Sequence, residues 1–302
     1  MKVRITSLGL PVSVPGLTPK ALNALTLLSK TVRHIITDFD DTLVDGGIGT
    51  EHNKMSQEEF IEINSKKILE FRKVCDRLTT HNINFGICTG RSGSFIIPWM
   101  NALFSPGVCD VIIGEGGATI HRFIDGNWEL FTPKCVDPES LKIFMSNRDK
   151  VIEIGTTLLH GYYETGKLII ASFNPPILAN GQVMKIEEYY SLFETELDKA
   201  GLLGKIAFKH SNTAVDIGPL GADKVDAMLE ITNGDPTAYA GDSMNDKSAM
   251  FQCLINLCPS NISSDFRKES SQAMCCLFSR LKVMDGVIDL FKTILKLLEK
   301  DY

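Results

Sequence analysis

Two carboxylates, Asp38 and Asp40, close the run His34-Ile35-Ile36-Thr37, and a Gly46-Gly47 pair breaks the chain soon after. In an extended chain, side chains two residues apart leave on the same side, so these two acids converge. Converging carboxylates repel unless a cation or a shared proton relieves them, which points to a hard metal such as Mg²⁺. Ile35 and Ile36 are consecutive and apolar, as in a parallel strand covered on both faces. The acids then stand at the strand's C-terminal end, where open α/β sheets gather their chemistry. Taken alone, the segment fits an acidic turn as well as it fits a site.

The elements that position these acids follow from pattern. A polar, glycine-rich loop spans Asp45 to Met55. Ser56 with Glu59 is a capping-box pair, and Phe60 to Leu78 carries apolar residues at helical spacing up to His81-Asn82. Asn84 to Cys88 reads as a strand, Ser94 to Phe104 as a helix and Val108 to Ile113 as a third strand. This β-α-β-α-β run predicts a doubly wound sheet. Gly114-Glu115-Gly116-Gly117-Ala118 lacks the spacing of a dinucleotide-binding loop and reads as the exit from the core.

After that exit the pattern changes. Strands are expected at Thr119 to Ile124 and Trp128 to Phe131, a helix at Pro138 to Ile152, and a strand at Lys167 to Phe173 ended by Pro175-Pro176. A helix from Ile186 to Leu203 and strands at Lys205 to His210 and Ala214 to Ile217 follow. The core resumes with a helix after Lys224, strands at Ala238 to Ala240 and Leu254 to Leu257 with the helix Lys247 to Phe251 between them, and a closing helix from Val287 to Leu298. The expected fold is α/β, a three-layer αβα core with a mainly parallel sheet and an inserted α+β layer. The expected division is 1–32 as an extension, 33–117 and 213–302 as core, and 118–212 as the insert.

With 302 residues, 44% hydrophobic and 23% charged, the chain has the composition of a globular protein with a sizeable core. A net charge of −6 gives no global attraction to nucleic acid or to an anionic membrane, so any phosphate site must be local. No apolar run approaches the roughly 20 residues that span a bilayer. The eight cysteines show neither a Cys-x-x-Cys pair nor zinc-like spacing, and fit free buried thiols in a reducing cytoplasm. The first 37 residues hold no acid, a bias shared with transit peptides. Thr18-Pro19 before Lys20 to Leu25 instead favours a capped short helix packed on the core.

The segment from Asp38 to Thr42 resembles the first motif of the haloacid-dehalogenase-type hydrolases, Asp-x-Asp-x-Thr after a core strand. Three further motifs of that family can be found in its order. Phe85-Gly86-Ile87-Cys88-Thr89-Gly90-Arg91 matches the second, Gly221-Ala222-Asp223-Lys224 the third, and Ala240-Gly241-Asp242-Ser243-Met244-Asn245-Asp246 the fourth. The resemblance covers the chain from about Arg33 onward. An α+β insert between the second and third motifs is similar to the cap of class IIB members: Cof-type sugar phosphatases, sucrose-phosphate phosphatases and mannosyl-phosphoglycerate phosphatases.

What the resemblance implies is an Mg²⁺-dependent phosphatase acting on a small phosphorylated metabolite, a sugar phosphate by preference. Asp38 would be the nucleophile and Asp40 the acid and then base. Thr89 and Gly90 would bind the phosphoryl group, and Lys224 would neutralise its charge. Asp38, Asp242 and the carbonyl of Asp40 would hold the metal, with Asp246 a ligand directly or through water. Asn245 would orient these acids beside the substrate. Arg91 either touches substrate or bridges to a surface acid. Thr42 is expected to tie the turn through its hydroxyl, and Asp41 to point away. His121, His160 and His210 receive no role. A phosphotransferase or mutase of the same superfamily shares these residues, and a non-catalytic scaffold would be expected to lack the nucleophile or the metal acids.

Overall fold

The computed structural model describes residues 3–4, 19–46, 55–211, 213–270 and 275–299. The strands in chain order are β1 (Val3–Arg4), β2 (His34–Thr37), β3 (Asn84–Cys88), β4 (Cys109–Gly114), β5 (Thr119–Ile124), β6 (Asn127–Phe131), β7 (Tyr162–Glu164), β8 (Ala171–Asn174), β9 (Ala207–His210), β10 (Val215–Gly218), β11 (Thr237–Ala240), β12 (Ile255–Cys258) and β13 (Cys275–Phe278). Nine of them form one sheet in the order β1-β13-β12-β11-β2-β3-β4-β5-β6. Neighbours are parallel from β1 through to β4, and antiparallel from β4 to β5 and from β5 to β6.

The consecutive apolar pair of β2 explains its central place. Ile35 packs on one face with Leu25, Phe71 and Phe291, and Ile36 on the other with Met228, Met250 and Phe266. Helices Pro19–Thr31, Ser65–Thr79, Gly93–Leu103 and Val283–Leu298 therefore cover one face, and Lys224–Thr232, Lys247–Gln252 and Ser264–Ser270 the other. Full burial of each such side chain contributes about 1.5–3 kcal/mol, so a strand with two apolar faces belongs between two helical layers. Successive strands run outward from β2 in both directions, so β2 and β11 straddle the switch point where doubly wound sheets open a crevice. Among the described residues, no helix is long and apolar enough to cross a membrane, and all eight cysteines are free.

Several expectations need correction. The segment 60–78 is two helices, Gln57–Ile63 and Ser65–Thr79, broken at Asn64, whose side chain turns back to donate to the Phe60 carbonyl at 3.0 Å. The Ser56 cap is present, accepting the Glu59 N–H at 3.1 Å. β5 and β6, expected in the insert, are hydrogen-bonded into the large sheet. The turn Glu115–Gly117 has three successive positive φ angles (52°, 64° and 96°), which reverse the chain so that Ile120 faces Ile113 across β4. Alternating apolar residues announce a hairpin but not the sheet it joins. The short helix expected after Thr18-Pro19 is Pro19–Thr31, and its Leu25 packs in the main core as expected.

The second sheet, β7-β8-β10-β9, is antiparallel throughout and starts only beyond the helix Pro138–Glu153. That helix and Ile186–Lys199 cover it, with Phe144, Phe173, Tyr189, Phe193 and Val215 in an apolar cluster of their own. The strand expected at 167–173 is shortened to Ala171–Asn174, and β7 and β13 were not anticipated. Most of the loop 45–55, the Thr18 cap and Asn212 lie outside the described residues.

Candidate active site

Four chain segments meet at the C-terminal ends of β2 and β11. Asp38 follows β2 directly, its N–H donating to the Ala240 carbonyl at 2.8 Å, and its side chain is buried. Lys224 opens the helix Lys224–Thr232, whose first turn is capped by Asp223. Its ammonium lies 3.3 Å from Asp38 Oδ1 and 2.8 Å from Asp246 Oδ1. Asp246 is fully buried on the turn Met244–Asp246, where Gly241 admits it: a Cβ on that glycine would stand 2.9 Å from the Asp246 carboxyl carbon. Asp242 completes the group, with a carboxylate oxygen of Asp38, Asp242 and Asp246 all within 4.8 Å of one another.

Burial and mutual repulsion set the charge state of this cluster. Asp38 is raised well above the usual carboxylate range, first by burial and then by Asp246, with Lys224 opposing. Asp242 is pushed up to about 7 by burial, with Asp246 adding to it. Burial alone would lower Lys224, but Asp246 and Asp38 outweigh it and hold the ammonium charged. Three carboxylates crowded beside one ammonium form a donor set of hard oxygens that suits a divalent cation such as Mg²⁺, whose charge would offset the repulsion that raises Asp38 and Asp242. The oxygens are not equally free. Asp246 accepts from Lys224, from the Tyr239 hydroxyl at 2.9 Å and from the Ser243 hydroxyl at 3.2 Å, whereas Asp242 accepts only the Thr42 hydroxyl, at 3.1 Å, among the described bonds.

The segment after β3 adds the remaining pieces. Thr89 is buried with its hydroxyl accepting the Arg91 N–H at 3.1 Å, and Gly90 is exposed with open space above its α-carbon. Arg91 grips both oxygens of Asp40, at 2.7 and 2.9 Å, and stacks 4.6 Å over the Phe95 ring. The alternative of a bridge to an acid is the one seen, and that acid is the half-buried Asp40. Asn245 is exposed on the turn Met244–Asp246 and is not drawn into the carboxylate cluster. Thr42 reaches across to Asp242 rather than tying its own turn. Asp41 is exposed at φ 55°, its side chain accepting the Gly46 N–H.

Tyr239 is the site residue that sequence pattern missed. Its ring packs in β11, and its hydroxyl donates to Asp246. The signal available was a tyrosine between two alanines in a short strand, where a buried O–H must find an acceptor.

This arrangement sits on the fold of the haloacid-dehalogenase-like hydrolases. A haloacid dehalogenase-like hydrolase from Bacteroides thetaiotaomicron matches at 15% identity with a TM-score of 0.59, covering 87% of this chain and 99% of that one. The C-terminal domain of a C. albicans trehalose-6-phosphate phosphatase matches at 13% identity and a TM-score of 0.58, covering 91% and 96%. A trehalose-6-phosphate phosphatase related protein matches at 15% and 0.56, covering 87% and 97%. No protein-family model matches the sequence, and no curated protein does.

Proposed function

We propose that the chain is an Mg²⁺-dependent phosphatase that hydrolyses a small phosphorylated metabolite, a sugar phosphate being the favoured class, through an aspartyl-phosphate. The observation that carries this is the buried Asp38–Lys224–Asp246 ion-pair group with Asp242 beside it, at the switch point between β2 and β11. Likeness in fold to solved phosphatases supports it.

Asp38 attacks phosphorus while Asp40 gives its proton to the leaving oxygen. Asp40 then takes a proton from water, whose oxygen attacks the phosphoaspartate to release phosphate and restore Asp38. Lys224 balances the phosphoryl charge, and the Thr89 hydroxyl with the exposed Gly90 main chain holds the phosphoryl oxygens. Arg91 orients Asp40, and Asn245 stands at the rim to meet substrate. Asp38, Asp242 and the Asp40 carbonyl would hold Mg²⁺, with Asp246 behind them because its lone pairs are largely taken. The metal would supply charge neutralisation. The unit built on the second sheet, from Pro138 to Gly218, serves as a cap over the site that contacts the leaving group.

Phosphate release from a panel of sugar phosphates, with Mg²⁺ and in chelator, tests the activity. Asp38→Asn should keep the fold and lose turnover by about 1000-fold or more. Beryllium fluoride with Mg²⁺ should raise the melting temperature of the wild type and leave this variant unchanged. An active Asp38→Asn protein would overturn the assignment.

A further inference from the structure

Glu115 is buried to 2% exposure in the turn between β4 and β5, and none of the chemistry above uses it. Its carboxylate is met by three successive main-chain amides. Leu168 N–H donates to Oε1 at 2.7 Å, and the N–H groups of Ile169 and Ile170 donate to Oε2 at 2.8 Å each. Charge-assisted bonds of this kind are about twice as strong as neutral ones, and a buried carboxylate with three of them is held rigidly. These amides lead directly into β8 of the second sheet, so the side chain links one sheet to the other. Here also is why the expected strand at 167–173 starts late: its first N–H groups turn to Glu115 rather than to a neighbouring strand.

The main chain of the same turn reaches the phosphoryl loop. Glu115 N–H donates to the Arg91 carbonyl at 2.8 Å, and Gly116 N–H to the Thr89 carbonyl at 2.9 Å. Gly117, at φ 96°, lies so close to the residue before Lys224 that a Cβ would stand 2.2 Å from the Asp223 carbonyl carbon. One turn thus touches the Thr89–Arg91 loop, the start of the Lys224 helix and the second sheet. A second tie runs alongside, from Lys209 on β9 to the Ala222 carbonyl at 3.2 Å, over an apolar cluster of Ala118, Val136, Ile170 and Ala222.

We propose that Glu115 is a positioning residue whose carboxylate, by gripping the amides of residues 168–170, sets the registry of the second sheet over the Thr89–Arg91 loop and thereby how the leaving group of a phosphate ester is held. This rests on the phosphatase reading. Phosphoryl chemistry belongs to groups on the large sheet, so the carboxylate governs the part of turnover that depends on the leaving group. Gln keeps one accepting oxygen at this position, and Ala keeps none.

The test uses the full chain as wild type, Glu115→Gln and Glu115→Ala. Hydrogen exchange of the Leu168, Ile169 and Ile170 amides should speed up about tenfold or more in Glu115→Ala and less in Glu115→Gln, with helix Ile186–Lys199 unchanged. With Mg²⁺, kcat/KM for the best hexose or disaccharide phosphate should fall about tenfold through KM, while p-nitrophenyl phosphate changes by less than about threefold. Wild-type exchange in Glu115→Ala, uniform acceleration across all amides, or equal loss on both esters would overturn the positioning role. A wild type that cleaves no phosphate ester removes the phosphatase reading and the leaving-group half of this proposal with it. The exchange comparison then decides the link between the sheets by itself.

Discussion

Lys224→Met removes a charge and keeps the side chain's length, which isolates what the ammonium does. In the wild type it lies 2.8 Å from Asp246 and 3.3 Å from Asp38, with all three groups buried. At an effective dielectric of about 20, contacts at these distances are worth about 5–6 kcal/mol each before desolvation. Desolvation of the ammonium takes back much of that. Removing one member of a buried ion pair typically costs about 3–5 kcal/mol, because the partner charges remain. For a chain of 302 residues that corresponds to a fall in melting temperature of about 5–8 °C. The pH dependence carries the sign. Asp38 is already raised by burial and by Asp246, and losing Lys224 removes the influence that lowers it. Between its unfolded and folded pKa the native state binds more protons than the unfolded state, so stability falls as pH rises. Thermal unfolding in EDTA should therefore show a deficit that is large at pH 8 and shrinks by pH 5, where protonation relieves the repulsion. Turnover in Mg²⁺ should fall about 100-fold or more. A variant that melts with the wild type at pH 8, or whose deficit grows on acidification, would refute this account of the cluster.

Two further outcomes follow from the same geometry. Asp242 is pushed up to about 7, so a cation must compete with its proton, and Mg²⁺ affinity measured by calorimetry should rise through pH 7 and level off above it. Affinity that is flat from pH 5 to 8, or unchanged in Asp242→Asn, would place the metal elsewhere. Arg91→Lys swaps a fork that holds both Asp40 oxygens for a point charge, so kcat should drop about 10–100-fold with KM little changed and an altered pH–rate profile. A wild-type profile in that variant would mean that Arg91 does not orient Asp40.

Local pattern alone announced the parallel core and the chemistry at its edge. Ile35 and Ile36 are adjacent and apolar, and only a strand covered on both faces satisfies them, which puts Asp38 and Asp40 at its C-terminal end. The four motif segments were likewise legible, because each is a strand end or helix start whose turn residues are local. Other features depended on which surfaces meet. The hairpin of β5 and β6 alternates in the same way whether it joins the large sheet or the second one, and the three left-handed residues from Glu115 to Gly117 decided for the large sheet. Arg91 could face substrate or an acid, and only the approach of the β2 and β3 loops delivers it to Asp40. Thr42 and Asp242 stand 200 residues apart and Lys224 and Asp38 stand 186 apart, so no spacing rule connects them. Glu115 read as part of a polar exit loop, yet it is buried because three amides from residues 168–170 come to it. Periodicity and turn chemistry are short-range and can be read along the chain. The partners of a buried charge are set by packing between distant segments, and they exist only once the sheets have assembled.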